Sequence, residues 1–305
     1  MTFRLKILGS NAAAPAHNRN QTSQLLQVRN SVFLIDCGEG TQLQLKKHKV
    51  KFSKINYIFI SHLHGDHYYG LIGLISTMHL YGRTTTLNLF GPPGLLEIIS
   101  LQLKYSDTSL KFDINFKEWT PEMSEVIFEN NYMTVETFPL NHRISCSGFV
   151  FKEKPLSKKI IKENLPADIL PSQIAILKKG QDVKDGNGEI LFAASDYTSD
   201  PRDPFIYAFC SDTKFTTDII PYVKNADLIY HEATFMEDMA DRAELTYHST
   251  AKQAAELAKK SNAKKLILGH FSTRYKELEP VLAEAKEIFE NSYLGLEGTD
   301  FILLE

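Results

Sequence analysis

Cysteine is scarce in this chain. Cys37, Cys146 and Cys210 are scattered, and no two of them form a C-x-x-C pair. That spacing offers no disulfide framework and no structural zinc knot, and free buried thiols in a reducing compartment are the expectation. Long apolar runs are missing as well, since none approaches the length that spans a bilayer. The opening Met-Thr-Phe-Arg-Leu-Lys-Ile-Leu-Gly lacks the charged-then-apolar layout of a secretory signal and reads as a first β-strand, so a cytoplasmic location is expected. Nor is there an excess of positive charge: 34 Lys and Arg stand against 37 Asp and Glu, a net charge of -3. Polyanion binders are usually basic overall. Any contact with nucleic acid must therefore come from local patches or bound cations.

The composition that remains is that of a globular protein. With 305 residues, 43% hydrophobic and 23% charged, the chain can bury a sizeable core within one large α/β domain. Strand-like runs occur at Phe3–Leu8, Leu25–Val28, Val32–Ile35, Ile55–Ile60 and Leu87–Phe90. Others follow at Tyr132–Phe138, Phe205–Cys210, Leu228–Tyr230, Lys265–Leu268 and Phe301–Leu304. Gly91-Pro92-Pro93-Gly94 is a turn. Two helices are expected late in the chain, one through 251–260 capped by Ser249 and one over Glu279–Phe289 with Pro280 in its first turn. Between Lys152 and about Gly188 the rhythm breaks. Lys152, Lys154, Lys158, Lys159 and Lys162 open this stretch, Lys178, Lys179 and Lys184 follow, and Asp185-Gly-Asn-Gly188 reads as a hairpin turn. A solvated insertion and a basic arm that touches a polyanion are equally open readings of it.

The chemistry concentrates after the run Ile55–Ile60, in Ser61-His62-Leu63-His64-Gly65-Asp66-His67. Imidazoles and carboxylates are zinc-type ligands, and alternate residues of a tight loop can point the same way. A lone histidine is more often a satisfied core residue, and His17, His48 and His79 have no such company. Four residues of scarce ligand type in six positions at a strand end point to metal. His142, Asp212, His231 and His270 each follow another strand-like run. Open α/β sheets place their sites at such carboxyl ends, so enough ligands for two metals are at hand.

These residues carry a resemblance. His62-Leu-His-Gly-Asp-His67 is similar to the signature loop of the metallo-β-lactamase superfamily, over nearly the whole chain. Gly9-Ser10, Pro15, Arg19–Ser23 and Phe33–Gln42 resemble the opening motifs of its ribonuclease Z branch, the tRNA 3′-processing endonucleases of the short bacterial type. His231-Glu-Ala-Thr234, His248-Ser-Thr250 and Gly269-His-Phe-Ser-Thr-Arg-Tyr275 are similar to the later motifs of that branch. The resemblance implies a four-layered αβ/βα sandwich with a protruding arm, the basic stretch of about 152–188, that grips tRNA. It implies one zinc on His62, His64 and His142, a second on Asp66, His67 and His270, and Asp212 bridging both; manganese or iron also suits such ligands. It further implies His248 as proton donor aided by Glu232, Asp66 as the residue that orients water, and Asp36 behind the ligands. His231 falls within a family motif, and Arg274 is a candidate phosphate contact. A homodimer acting on precursor tRNA is the implied assembly. Competing readings are a hydrolase of small esters or phosphodiesters on the same fold, a 3′ exoribonuclease, and a metal-bound RNA-binding module without catalysis.

Overall fold

The computed structural model describes residues 2–304. The chain divides into two compact units, one built from the residues up to Lys152 and from Phe205 onward, the other from Glu153–Pro204.

In the larger unit the first six strands are β1 (Phe3–Gly9), β2 (Ser23–Val28), β3 (Ser31–Ile35), β4 (Tyr57–Phe59), β5 (Leu87–Gly91) and β6 (Ile114–Glu118). They lie side by side in that order, with the last strand, Asp300–Leu304, beside β1. Neighbours from Asp300–Leu304 to β3 run antiparallel, and those from β3 to β6 run parallel. The next three strands are β7 (Val126–Glu129), β8 (Met133–Pro139) and β9 (Ser147–Glu153). The smaller unit contributes β10 (Lys159–Ile160), β11 (Val183–Lys184), β12 (Ile190–Phe192) and β13 (Thr198–Ser199), and the chain then returns to β14 (Ile206–Cys210), β15 (Leu228–Glu232), β16 (Leu266–Gly269) and β17 (Ser292–Leu294). The second large sheet has the order β17-β16-β15-β14-β9-β8-β7, and β14 to β17 are parallel.

Side chains alternate across a strand, and here both faces of the central strands are apolar because both are covered. Phe33 and Ile35 of β3, Phe59 of β4, Phe149 and Phe151 of β9, Tyr207 and Phe209 of β14 and Tyr230 of β15 share one core between the sheets. Their rings stack, Phe59 on Phe90 at 4.4 Å and Phe209 on Tyr230 at 5.2 Å. The intervening residues face outward. Leu34, Ile58 and Leu89 pack with Leu71, Leu74, Ile75 and Ile99 from the helices Gly70–Leu80 and Leu95–Tyr105. Ala208, Ile229 and Leu268 pack with Ala254, Ala255, Leu257 and Val281 from the helices Ala251–Lys260 and Glu279–Lys286. The result is helix, sheet, sheet, helix: the four-layered sandwich expected from the resemblance.

Several boundaries differ from the sequence expectation. β4 is shorter than Ile55–Ile60 because a 3-10 turn at Phe52–Lys54 leads into it. The last helix stops at Lys286 rather than Phe289. The cap of Ala251–Lys260 is Thr250, not Ser249. Thr250 Oγ1 accepts from Gln253 N, and the Gln253 side chain accepts from Thr250 N, a reciprocal box. The Ser249 hydroxyl instead donates to the Thr213 carbonyl at 2.7 Å.

The smaller unit has its own small core of Leu177, Val183 and Ala194. β11 and β12 form a hairpin whose turn is held by Asp185 Oδ1, which accepts from Asn187 N and Glu189 N. β10 pairs with β13, so this unit continues past Gly188 to Pro204.

Candidate active site

The parallel strands of both sheets end at one place. Asp36 follows β3, Ser61–His67 follows β4, Asp212 follows β14, Glu232 closes β15 and His270 follows β16. Ser61 Oγ and Ser211 Oγ, one from each sheet, hydrogen-bond at 2.9 Å and tie the sheets together here. Asp36 and His270 both sit in left-handed backbone, at φ 55° and 56°. Non-glycine residues rarely adopt it, and surrounding structure must hold them there. Gly38 is needed for close approach: a Cβ there would lie 2.4 Å from the Asp66 carbonyl oxygen.

Two sets of ligand atoms converge. His64 Nδ1 lies 3.1 Å from both His62 Nε2 and His142 Nε2, and Asp212 Oδ2 lies 3.6 Å and 3.8 Å from those two nitrogens. On the other side, His67 Nε2 and His270 Nε2 are 3.3 Å apart, and Asp66 Oδ2 is 3.7 Å and 3.3 Å from them. Asp212 Oδ1 faces this second set, 3.4 Å from His67 and 3.2 Å from His270. One carboxylate thus presents an oxygen to each set.

The protonation pattern leaves lone pairs pointing inward. His67 Nδ1 donates to Asp36 Oδ2 at 2.7 Å and His142 Nδ1 donates to the Tyr247 carbonyl at 3.0 Å, so the Nε2 atoms carry no proton in the neutral rings. His62 Nδ1 meets Ser61 Oγ at 3.0 Å, and His270 Nδ1 meets Thr234 Oγ1 at 2.9 Å. Such outer hydrogen bonds orient ligating imidazoles. Asp36 is buried and accepts from Ser61 N and Ser61 Oγ as well.

The electrostatics demand positive charge. Burial pulls the His67 imidazole down, yet Asp212, Asp66 and Asp36 outweigh it and push it well up. Burial alone would raise Asp212, but His270 and His67 hold it well below the carboxylate range. Asp212 Oδ1 is nevertheless a buried oxygen without a hydrogen-bond partner among the described residues. Buried carboxylates facing inward lone pairs fit divalent cations, and zinc-nitrogen bonds of about 2.0–2.1 Å in a tetrahedron give ligand separations of roughly 3.4 Å.

Beside the ligands stands a second pair. Glu232 is fully buried and its Oε1 accepts from His248 Nδ1 at 2.9 Å and from Thr213 N. Burial lowers His248, but Glu232 outweighs it and pushes the imidazolium up to about 9. Thr234 Oγ1 donates to Glu232 Oε2 at 2.6 Å and also touches His270, which links this pair to the ligand set. A cavity of about 510 Å³ is lined by His64, Asp66, His142, Asp212, His248 and His270. Tyr69, Arg143 and Phe235 complete its walls, and Ala13, also lining it, donates its backbone N–H to Asp66 Oδ2 at 2.7 Å.

Of the residues singled out in the sequence, all seven ligand candidates come together, with Asp36 behind them and Glu232 and His248 alongside. His231 does not reach the cavity; it is buried, with Nδ1 on the Glu232 carbonyl at 2.7 Å. Arg274 is exposed, its guanidinium 5.8 Å from the Phe235 ring, and does not line the cavity. Ser61 and Thr234 stand in the sequence motifs without a role of their own there, and Arg143 escaped the sequence reading.

Known proteins resemble this chain in sequence and fold. A family model described as Anti-Pycsar protein Apyc1 matches residues 3–160, which include the histidine loop but neither Asp212 nor His270. A ribonuclease Z from Cytophaga hutchinsonii is 52% identical over 301 residues, covering 99% of this chain and 96% of its own. The chain belongs to the ribonuclease Z family. A ribonuclease Z from Bacteroides fragilis is 42% identical over 97% of each chain. The crystal structure of human tRNase Z, short form, matches with a TM-score of 0.73 and 27% identity over 99% of this chain and 100% of that one. The metallo-β-lactamase fold protein YhfI from Bacillus subtilis, 18% identical with a TM-score of 0.70 over 99% and 100% of the chains, shares the fold. Membership makes this chain a hydrolase, a tRNA 3′ endonuclease of the metallo-β-lactamase fold.

Proposed function

We propose that the chain removes the 3′ trailer of precursor tRNA in one cut, leaving a 3′ hydroxyl on the tRNA and a 5′ phosphate on the trailer. The observation that carries this reading is the shared carboxylate Asp212 between two candidate ligand sets, with His248, held by buried Glu232, lining the same cavity. His62, His64, His142 and Asp212 Oδ2 would hold one zinc ion, and Asp66, His67, His270 and Asp212 Oδ1 a second. When bound, two such ions polarise the phosphate and make water a better nucleophile near neutral pH.

The protein groups then divide the work. Asp66, anchored by Ala13 N–H, orients the attacking water and takes up its proton. As the water oxygen bonds to phosphorus, the bond from phosphorus to the ribose 3′ oxygen breaks. That oxygen is a poor leaving group and needs a proton. His248 supplies it, with Glu232 holding Nδ1 and favouring the charged ring. Asp36 fixes the ring of His67. The lysine-bearing unit Glu153–Pro204 serves as the tRNA-holding arm, in a homodimer where one subunit's arm serves the other's site. Three free buried cysteines suit a cytoplasmic setting; among the described residues no helix is long and apolar enough to cross a membrane.

The test is incubation of zinc-loaded protein with an end-labelled, 3′-extended precursor tRNA, beside Asp66→Ala. An intact trailer with a 5′ phosphate, absent from the variant, is expected. Mononucleotide products would replace the endonuclease by an exonuclease, and no RNA cleavage by the wild type would sink the reading.

A further inference from the structure

The most cationic segment of the chain lies outside both the metal cluster and the lysine-bearing unit. It is Lys46-Lys47-His48-Lys49-Val50-Lys51-Phe52-Ser53-Lys54, which links the helix Thr41–Lys47 to β4. Two clefts flank it. One, on the outer face of the first sheet, is lined by Arg4, Lys6, Lys49, Lys51 and Lys54. The other is lined by Lys46, Lys49, Lys51, Phe52 and Tyr81. No Asp or Glu lines either cleft. Asp300 pairs with Arg4 and Lys6, whereas Lys46, Lys49, Lys51 and Lys54 form no ion pair among the described residues. In a chain of net charge -3 this concentration marks a local anion-binding face.

The aromatic pair decides what kind of anion fits. The Phe52 and Tyr81 rings stack at 5.8 Å, with planes 16° apart. Phe52 is buried, while Tyr81 is 68% exposed and offers its other face to solvent among the lysines. A duplex hides its bases and would need only the charge. Single-stranded nucleic acid uses both, a cationic groove for the backbone and aromatic faces for unstacked bases. The location agrees. Lys54 precedes β4 and His62 follows it, so this face lies at the opposite end of the strand from the ligand cluster, with an extended reach of at most about 25 Å between the two residues. An RNA strand leaving the cavity must extend several nucleotides to arrive there.

The geometry points to a second RNA-binding site on this face, which takes single-stranded RNA and, on the reading of the cavity as a precursor-tRNA endonuclease, holds the distal part of a long 3′ trailer. Lysines 49, 51 and 54 contact phosphates, and Tyr81 stacks on a base.

Two readouts test this with the metal-loaded protein. The first is fluorescence anisotropy with a labelled single-stranded RNA of about twenty nucleotides and a duplex of the same length. The triple variant Lys49→Glu/Lys51→Glu/Lys54→Glu should weaken single-strand binding roughly tenfold or more and reduce the slope of log affinity against log salt by about 2. Tyr81→Ala should weaken single-strand binding roughly tenfold, with duplex binding and the salt slope unchanged. The second is cleavage of precursor tRNA with a trailer of about three or about twenty nucleotides. KM should rise in the variants for the long trailer alone, with kcat unchanged. Single-strand affinity unaltered in both variants, or equal penalties on both trailers, would overturn the inference. If the wild type cuts neither precursor, the endonuclease reading falls, and the binding comparison still decides the site.

Discussion

At the scale of single residues, the Glu232–His248 pair carries a sign that can be checked. If His248 is the proton donor proposed, activity is expected to fall as pH rises through its pKa, which Glu232 pushes up to about 9 against burial. Glu232→Gln removes the carboxylate, and the alkaline limb of the kcat/KM profile is expected to move to lower pH. His248→Ala should lower kcat by about 10²–10⁴-fold with little change in KM, measured by single-turnover cleavage. The histidine loop was legible in the sequence because its residue types are scarce and their spacing is tight. Thr234 and Ser61 were not: a hydroxyl is common and chemically neutral in a sequence. Only the fold brings Thr234 Oγ1 to 2.6 Å from Glu232 and Ser61 Oγ to 2.8 Å from Asp36. Arg274 is conspicuous in the sequence, and its guanidinium stands over the Phe235 ring outside the cavity.

At the scale of elements, the helix Ala251–Lys260 buries an alanine-rich face against the second sheet, and its start rests on one hydroxyl. Thr250→Ala should cost about 1 kcal/mol, read as a lower denaturant midpoint, while Ser249→Ala tests a different bond, the one to Thr213. Two adjacent cap-type residues look alike in sequence, and tertiary hydrogen bonding assigns their roles. Strand cores were legible from their apolar runs, whereas β6, β7, β9 and β17 of the large sheets went unread. Closure of the first sheet at Asp300–Leu304 involves Asp300, which accepts from Arg4 Nε at 2.7 Å and from Lys6 Nζ at 2.8 Å. Burial alone would raise this carboxyl; Arg4 and Lys6 outweigh it and lower its pKa. A depressed folded-state pKa contributes stability above the unfolded pKa of about 3.9, lost as pH falls through the folded value. Asp300→Asn should therefore cost roughly 0.5–1 kcal/mol at neutral pH, discounted for partial exposure, and the difference should vanish in acid, as chemical denaturation across pH would show.

For the whole molecule, the candidate ligands come from both sheets: His62, His64, Asp66 and His67 follow β4 of the first, while His142, Asp212 and His270 follow strands of the second. On the proposed ligand assignment, cations held there would stabilise the docked sandwich by mass action. Chelation should lower Tm by roughly 5–10 °C in calorimetry, and Asp212→Ala should erase most of that difference. The four-layer architecture was legible only through the motifs and the family they resemble. The extent of Glu153–Pro204 was not, because its boundary is set by the pairing of β10 with β13, two strands of two residues each.

The distribution of ligands along the chain also bears on synthesis. His270 lies beyond β16, near the end of the polypeptide. A nascent chain still tethered at that point has the histidine loop and Asp212 but no complete second ligand set. On the proposed ligand assignment, a chain truncated before His270 is expected to cleave no precursor tRNA.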